Sequence, residues 1–149
     1  MNNWTVATIF VVVGWLLLML VLFLCARSVH AADVSLHDRL LAAIRQVESG
    51  GNDRAVGDGG NAIGPYQIHL RYYHDGAEQL RREKQVAPLY LDMFHEPSAR
   101  RIVLAYWRRY APAHATDEQL ARIHNGGPEG HLKSGTKDYW WKVKKELAK

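Results

Sequence analysis

The sequence predicts an α+β domain, predominantly helical, with a small glycine-rich hairpin or loop region and an apolar helix in front of it. Apolar residues recur at helical spacing in several separate stretches. Between Asn52 and Gly64 the composition changes to Gly, Asn and Asp, which favours tight turns or a short hairpin over a helix. At the N-terminus, Trp4 to Ala26 contains no charged residue. The 149 residues allow one ordinary domain and a short appendage.

That appendage is long enough to cross a hydrocarbon core, which takes about 20 apolar residues. Residues 1–32 are expected to be either a signal peptide, cut after Ala31 in a small-x-small context, or a retained signal-anchor transmembrane segment spanning residues 4–26. Met1 to Asn3 supply no Lys or Arg ahead of the apolar run, and Arg27 lies on its C-terminal flank. Cys25 is the only cysteine and falls inside this run, so residues 33–149 can form neither a disulfide nor a thiolate metal site.

The folded domain is assigned to residues 33–149. Leu36, Leu40, Leu41, Ile44 and Val47 form a helical stripe with Ser35 as its N-cap, and Gly50 and Gly51 end it, leaving Glu48 in the last turn. After the glycine-rich stretch, Tyr66 to Leu70 reads as a short piece entering the core. Glu78 to Gln85 is helix-favouring, Pro88 interrupts, and Leu89, Tyr90, Met93 and Phe94 form an apolar patch. A clearer helix starts at Ser98, with Ile102, Val103, Tyr106, Trp107 and Tyr110 on one face and Arg100, Arg101, Arg108 and Arg109 facing water. Asp117 is read as the cap of a helix carrying Leu120 and Ile123, Asn125 to Gly130 as a loop, and Tyr139 to Leu147 as the last helix.

Charge narrows the function classes. The chain carries +4 with His neutral, and loss of residues 1–32 removes Arg27 and no acid, leaving +3. A modest positive charge suits an anionic wall, but no basic stripe with interleaved aromatics points to nucleic acid. His37, His69, His74, His95, His114 and His131 lack a close metal-binding spacing, so no metal and no cofactor is expected.

Three ordered blocks carry the chemistry: VESGGN from Val47 to Asn52, GPYQI from Gly64 to Ile68, and ARIHNGGPEG from Ala121 to Gly130, followed by Tyr139, Trp140 and Val143. In order and approximate spacing they resemble the invertebrate-type lysozyme (destabilase) family of the lysozyme-like superfamily. A looser similarity runs to the ESGGN, GLMQI and YNAGP blocks of soluble lytic transglycosylases. The resemblance implies a lysozyme-like fold and a muramidase, cutting the β-1,4 bond between N-acetylmuramic acid and N-acetylglucosamine. It departs from the animal members, which are rich in cysteine.

Cleaving a glycosidic bond needs a carboxylic acid still protonated near neutral pH, because the leaving oxygen must receive a proton. Glu48, where an apolar helix face ends and a cleft can open, suits that task and matches the family's catalytic Glu. A retaining enzyme needs a second carboxylate about 5 to 5.5 Å away. Asp58 resembles the family's second catalytic Asp; an ordinary turn residue is its alternative role, and Asp53 is the fallback. If Asp58 is not catalytic, a lytic transglycosylase using Glu48 alone remains open, as does a non-catalytic cell-wall-binding module. Tyr66, Gln67, His124 and Asn125 match blocks that the resemblance places beside the cleft, as substrate contacts or as cleft-wall and turn residues. The expected partner is peptidoglycan or a chitin-like glycan, met by a monomer outside the cytoplasm, secreted, periplasmic or membrane-anchored.

Overall fold

The computed structural model describes residues 37–149, together with Trp15 and Met19, which are helical and exposed. The remainder of the apolar segment, with Cys25, the expected cleavage point and the Ser35 cap, lies outside the described residues. Among the described residues no helix is long and apolar enough to cross a membrane. Arg39–Lys149 forms a compact unit by itself.

Helix α1 spans Asp38–Ser49 and buries Leu40, Leu41, Ala43 and Ile44. Gly50 and Gly51 stop it as expected: at φ of 62° and 83° both turn left-handed, and their N–H groups bond back to the carbonyls of Gln46 and Arg45. The glycine-rich stretch is a hairpin extended by one strand. β1 (Val56–Gly57), β2 (Ala62–Ile63) and β3 (Ile68–His69) pair antiparallel in that order, with Val56 opposite Ile63, Ile63 opposite Ile68, and Ala62 opposite both Gly57 and His69. Cross-strand partners share a face. Ile63 and Ile68 therefore enter the core together, and Gly57, Ala62 and His69 are left on the other side.

Helix α2 (Leu70–Arg82) starts well before the Glu78 that composition indicated. Its first turns are polar and tyrosine-rich, and Gly76 interrupts the pattern, so local propensity is poor. Packing explains the glycine: a Cβ at Gly76 would come within 2.8 Å of the Ile102 carbonyl, so its absence lets α2 lie close against α3. The apolar patch after Pro88 forms a short 3-10 turn, Tyr90–Phe94.

Helix α3 (Glu96–Tyr110) begins two residues earlier than Ser98, since Pro97 is tolerated in a first turn whose N–H groups need no partner within the helix. Its arginines do not all face water. Arg109 is partly buried and pairs with Glu78 at 2.8 Å, and Arg108 meets Glu83 at 2.8 Å, so both tie α3 to α2 and the residue after it. Helix α4 (Asp117–Gly126) is capped by Thr116, not Asp117: Thr116 Oγ1 accepts from the Gln119 N–H, and Gln119 Oε1 accepts from the Thr116 N–H. It runs past the expected loop boundary, and Gly127, at φ 84°, ends it with an N–H to Ile123 O bond. His124 and Asn125 are therefore helical.

Helix α5 (Lys137–Leu147) buries Tyr139 and Val143. The connection into it is held by Arg122, 8 % exposed, which donates to Thr136 Oγ1, Glu118 Oε1 and the Lys133 carbonyl. Ile44, Met93, Ile102, Val103, Ile123 and Val143, all fully buried, join the helices and the 3-10 turn after α2 in one core.

Candidate active site

Glu48 comes from the last turn of α1 with 18 % of its side chain exposed. Burial pushes its carboxyl above the usual carboxylate range, the direction an acid catalyst needs, while Tyr139 and Lys142 on α5 pull the other way. The Tyr139 hydroxyl is buried beside that carboxyl and has no partner in good hydrogen-bond geometry among the described residues. From α4, His124 brings Nε2 to 3.6 Å from Glu48 Oε1. Burial lowers the His124 pKa to about 4, so at neutral pH the contact joins an uncharged imidazole to the acid. Its Nδ1 lies 3.1 Å from the Tyr72 hydroxyl, and the Tyr72 ring stacks on Tyr106 at 3.7 Å. Burial also keeps the Tyr72 phenol protonated.

Opposite these helices stands the sheet. Glu48, Asp58, Gln67, His124 and Asn125 line one cleft of about 270 Å³, whose wall is completed by Ala62, His69 and Tyr72. Asp58 opens the turn after β1, with 68 % of its side chain exposed and His69 Nε2 at 3.7 Å from its Oδ2. The Asn61 backbone N–H and side-chain amide both donate to the Asp58 carbonyl, which fixes the turn. Asp58 and Gln67 have φ of 48° and 46°, a left-handed conformation that costs a non-glycine residue about 1–2 kcal/mol. Gln67 Nε2 donates to the Gly64 carbonyl at 2.9 Å, and Gln67 Oε1 lies where a Cβ at Gly57 would be.

Two expectations change. Tyr66 offers no ring face to a sugar: it is 1 % exposed, and its hydroxyl donates to Glu96 Oε1 at 2.7 Å, so it is a core residue. Asp53, the fallback carboxylate, is held by Arg45 Nη2 at 2.8 Å and does not line the cleft. Arg45 also donates to the Gly51 carbonyl, so this pair secures the end of α1 that carries Glu48. A larger cavity of about 550 Å³ lies against Val56, Leu91 and Phe94, but neither Glu48 nor Asp58 reaches it.

Comparison with known proteins bears directly on this cleft. The destabilase family model matches residues 37–146. This chain belongs to the destabilase family. It is 37 % identical over 93 residues to invertebrate-type lysozyme 6 of Caenorhabditis elegans, a span covering 58 % of this chain and 67 % of that protein. The crystal structure of Tapes japonica lysozyme matches with a TM-score of 0.60 at 28 % identity, over 72 % of this chain and 88 % of that one. An inhibitor-bound lysozyme from Meretrix lusoria matches with a TM-score of 0.61 at 30 % identity over the same shares. The fold is lysozyme-like and the chain is a lysozyme-type glycosidase.

In this destabilase-family domain, sequence reading missed His69 and Tyr72. In the sequence His69 is one of six histidines without metal-binding spacing, and only the β2–β3 register puts it beside Ala62 on the cleft face. Tyr72 had no assigned element, and its place follows from the early start of α2. Neither residue carries a local signal that would have revealed it.

Proposed function

We propose that this glycosidase is a muramidase in which Glu48 is the general acid and Asp58 the nucleophile or stabilising carboxylate. Glu48 gives its proton to the β-1,4 oxygen between N-acetylmuramic acid and N-acetylglucosamine as the C1–O bond breaks. Asp58 meets the positive charge developing at C1, and Glu48, now a carboxylate, takes a proton from the water that completes hydrolysis. Gln67 and Asn125 line the cleft, and an amide of either kind suits an N-acetyl group. The observation that carries the reading is the environment of Glu48: buried against an uncharged histidine, with its carboxyl raised toward the protonated state, in one cleft with an exposed Asp.

The substrate is peptidoglycan or a chitin-like glycan. The enzyme is placed outside the cytoplasm, with residues 1–32 as a cleaved signal or a membrane anchor, residues 33–149 as the catalytic domain, and the monomer as the working unit. The test is release of soluble fragments from purified peptidoglycan by the full chain and by Glu48→Gln. Loss of roughly 1,000-fold in Glu48→Gln is the expected result. Full activity in the variant would remove Glu48 from the reaction, and binding without digestion by both proteins would leave a wall-binding module.

A further inference from the structure

The HNGGP block suggests substrate contact, yet the His124 side chain is only 4 % exposed. Its ring is enclosed by tyrosines: Tyr72 edge-on with centroids 5.4 Å apart, and Tyr66 and Tyr139 each at 6.5 Å. Both ring nitrogens have protein neighbours, the Tyr72 hydroxyl 3.1 Å from Nδ1 and Glu48 Oε1 3.6 Å from Nε2, and the Tyr66 backbone is a further hydrogen-bond partner of the ring. Tyr72 is itself immobilised by its stack on Tyr106, whose rings are within 11° of parallel. His124 thus shows the cleft only a small edge of its ring, and its Nε2 lies 3.6 Å from the acid.

We infer that His124 is a positioning residue for Glu48, held by Tyr72 through Nδ1 so that its Nε2–H faces Glu48 Oε1 and leaves Oε2 to carry the proton toward the glycosidic oxygen. This rests on Glu48 being the general acid. The role takes the Tyr72 O–H as donor to Nδ1, 3.1 Å away, the assignment that puts the ring proton on Nε2 and makes Oε1 the carbonyl oxygen of the protonated acid. At 3.6 Å the Nε2 to Oε1 contact is longer than a hydrogen bond, and catalytic contacts of this kind shorten when substrate closes the site. Once Glu48 has given up its proton, the same N–H donates to the new carboxylate without passing a proton to it.

The uncharged state of His124 is essential to this role. An imidazolium 3.6 Å away would hold Glu48 ionised and useless as an acid, whereas a buried neutral ring orients the carboxyl and leaves it able to keep its proton. The other groups around the acid are Tyr139 and Lys142 from α5, Tyr72 from α2, and Asp58 and His69 from the sheet wall. Beside them, His124 has its Nε2 3.6 Å from Oε1.

The experiment measures kcat and KM against pH on soluble glycan strands for the full chain, His124→Phe, His124→Gln and Tyr72→Phe, with Glu48→Gln as control and thermal unfolding of each variant. His124→Phe is expected to lower kcat roughly 10- to 100-fold with KM nearly unchanged, and to move the alkaline limb of the profile upward, because the carboxylate loses a donor. His124→Gln, whose amide N–H can replace Nε2–H, restores the limb and most of kcat, and Tyr72→Phe falls between. A raised KM with unchanged kcat and limb would make His124 a substrate contact, and a loss that follows the folded fraction at constant limb would make it structural; either overturns the inference. Should His124→Phe fail to fold, Tyr72→Phe decides: a displaced limb supports the positioning role and a wild-type limb overturns it. A fully active Glu48→Gln defeats the acid assignment itself, whereas an inactive one beside an unshifted His124→Phe defeats only the role of His124.

Discussion

The two walls of the cleft are built on opposite physical terms. On the helical wall, His124 is buried between the partly buried Glu48 and Tyr72, and all three are displaced from their ordinary pKa values. On the sheet wall, Asp58 and His69 are largely exposed, and Asp58 and Gln67 occupy left-handed backbone conformations. The contrast matches the two tasks of glycoside cleavage. A proton donor needs poor solvation to keep its proton, whereas a carboxylate that must meet a cation needs to stay ionised and be aimed by its backbone.

If the division is right, breaking the exposed wall harms chemistry more than stability. Asp58→Asn is expected to lower hydrolysis on the order of 100- to 1,000-fold while the unfolding midpoint stays near wild type. Undiminished cleavage with 1,6-anhydro product ends would instead assign the reaction to a lytic transglycosylase. Gly57→Ala places a methyl where Gln67 Oε1 lies, so the amide must leave its position, and kcat/KM is expected to fall about 10-fold with little loss of fold.

The buried wall is tested through pH. The raised Glu48 pKa means that the folded state binds this proton more tightly than the unfolded chain, so the stability it contributes is present below 4.5 and is lost as pH rises through the folded value. Glu48→Gln should therefore melt above wild type at neutral pH, and the gap should close in acid; thermal scans across pH check this. His124 runs the other way. Its pKa falls from 6.5 to about 4, so its contribution is present above 6.5 and is lost as pH drops through about 4. His124→Gln should flatten that acid loss.

The smallest effect is expected at Asp53. Its pair with Arg45 is partly exposed, so Asp53→Asn should cost about 0.2–1 kcal/mol in chemical denaturation and leave cleavage nearly unchanged. A large loss of activity there would mean that the end of α1 depends on this bridge to hold Glu48.

Much of this molecule was legible in its sequence for local reasons. The helical stripe ending at Gly50–Gly51 located Glu48, because a glycine stop and an apolar period are properties of neighbouring residues. The glycine-rich hairpin and the late helices were legible on the same grounds, and the three ordered blocks pointed to the family that the comparisons establish. What the sequence left open or misplaced was settled at a distance. Tyr66 belongs to the core, where its hydroxyl donates to Glu96, 30 residues away. Tyr72 belongs to the site because Gly76 allows α2 to approach α3 and Tyr106 stacks on its ring. His69 reaches the cleft through strand register, and His124 turns inward because α4 continues through it. Spacing along the chain fixed where a carboxylic acid sits; its solvation and neighbours, which decide whether it keeps a proton, come from segments that meet only when the chain is folded.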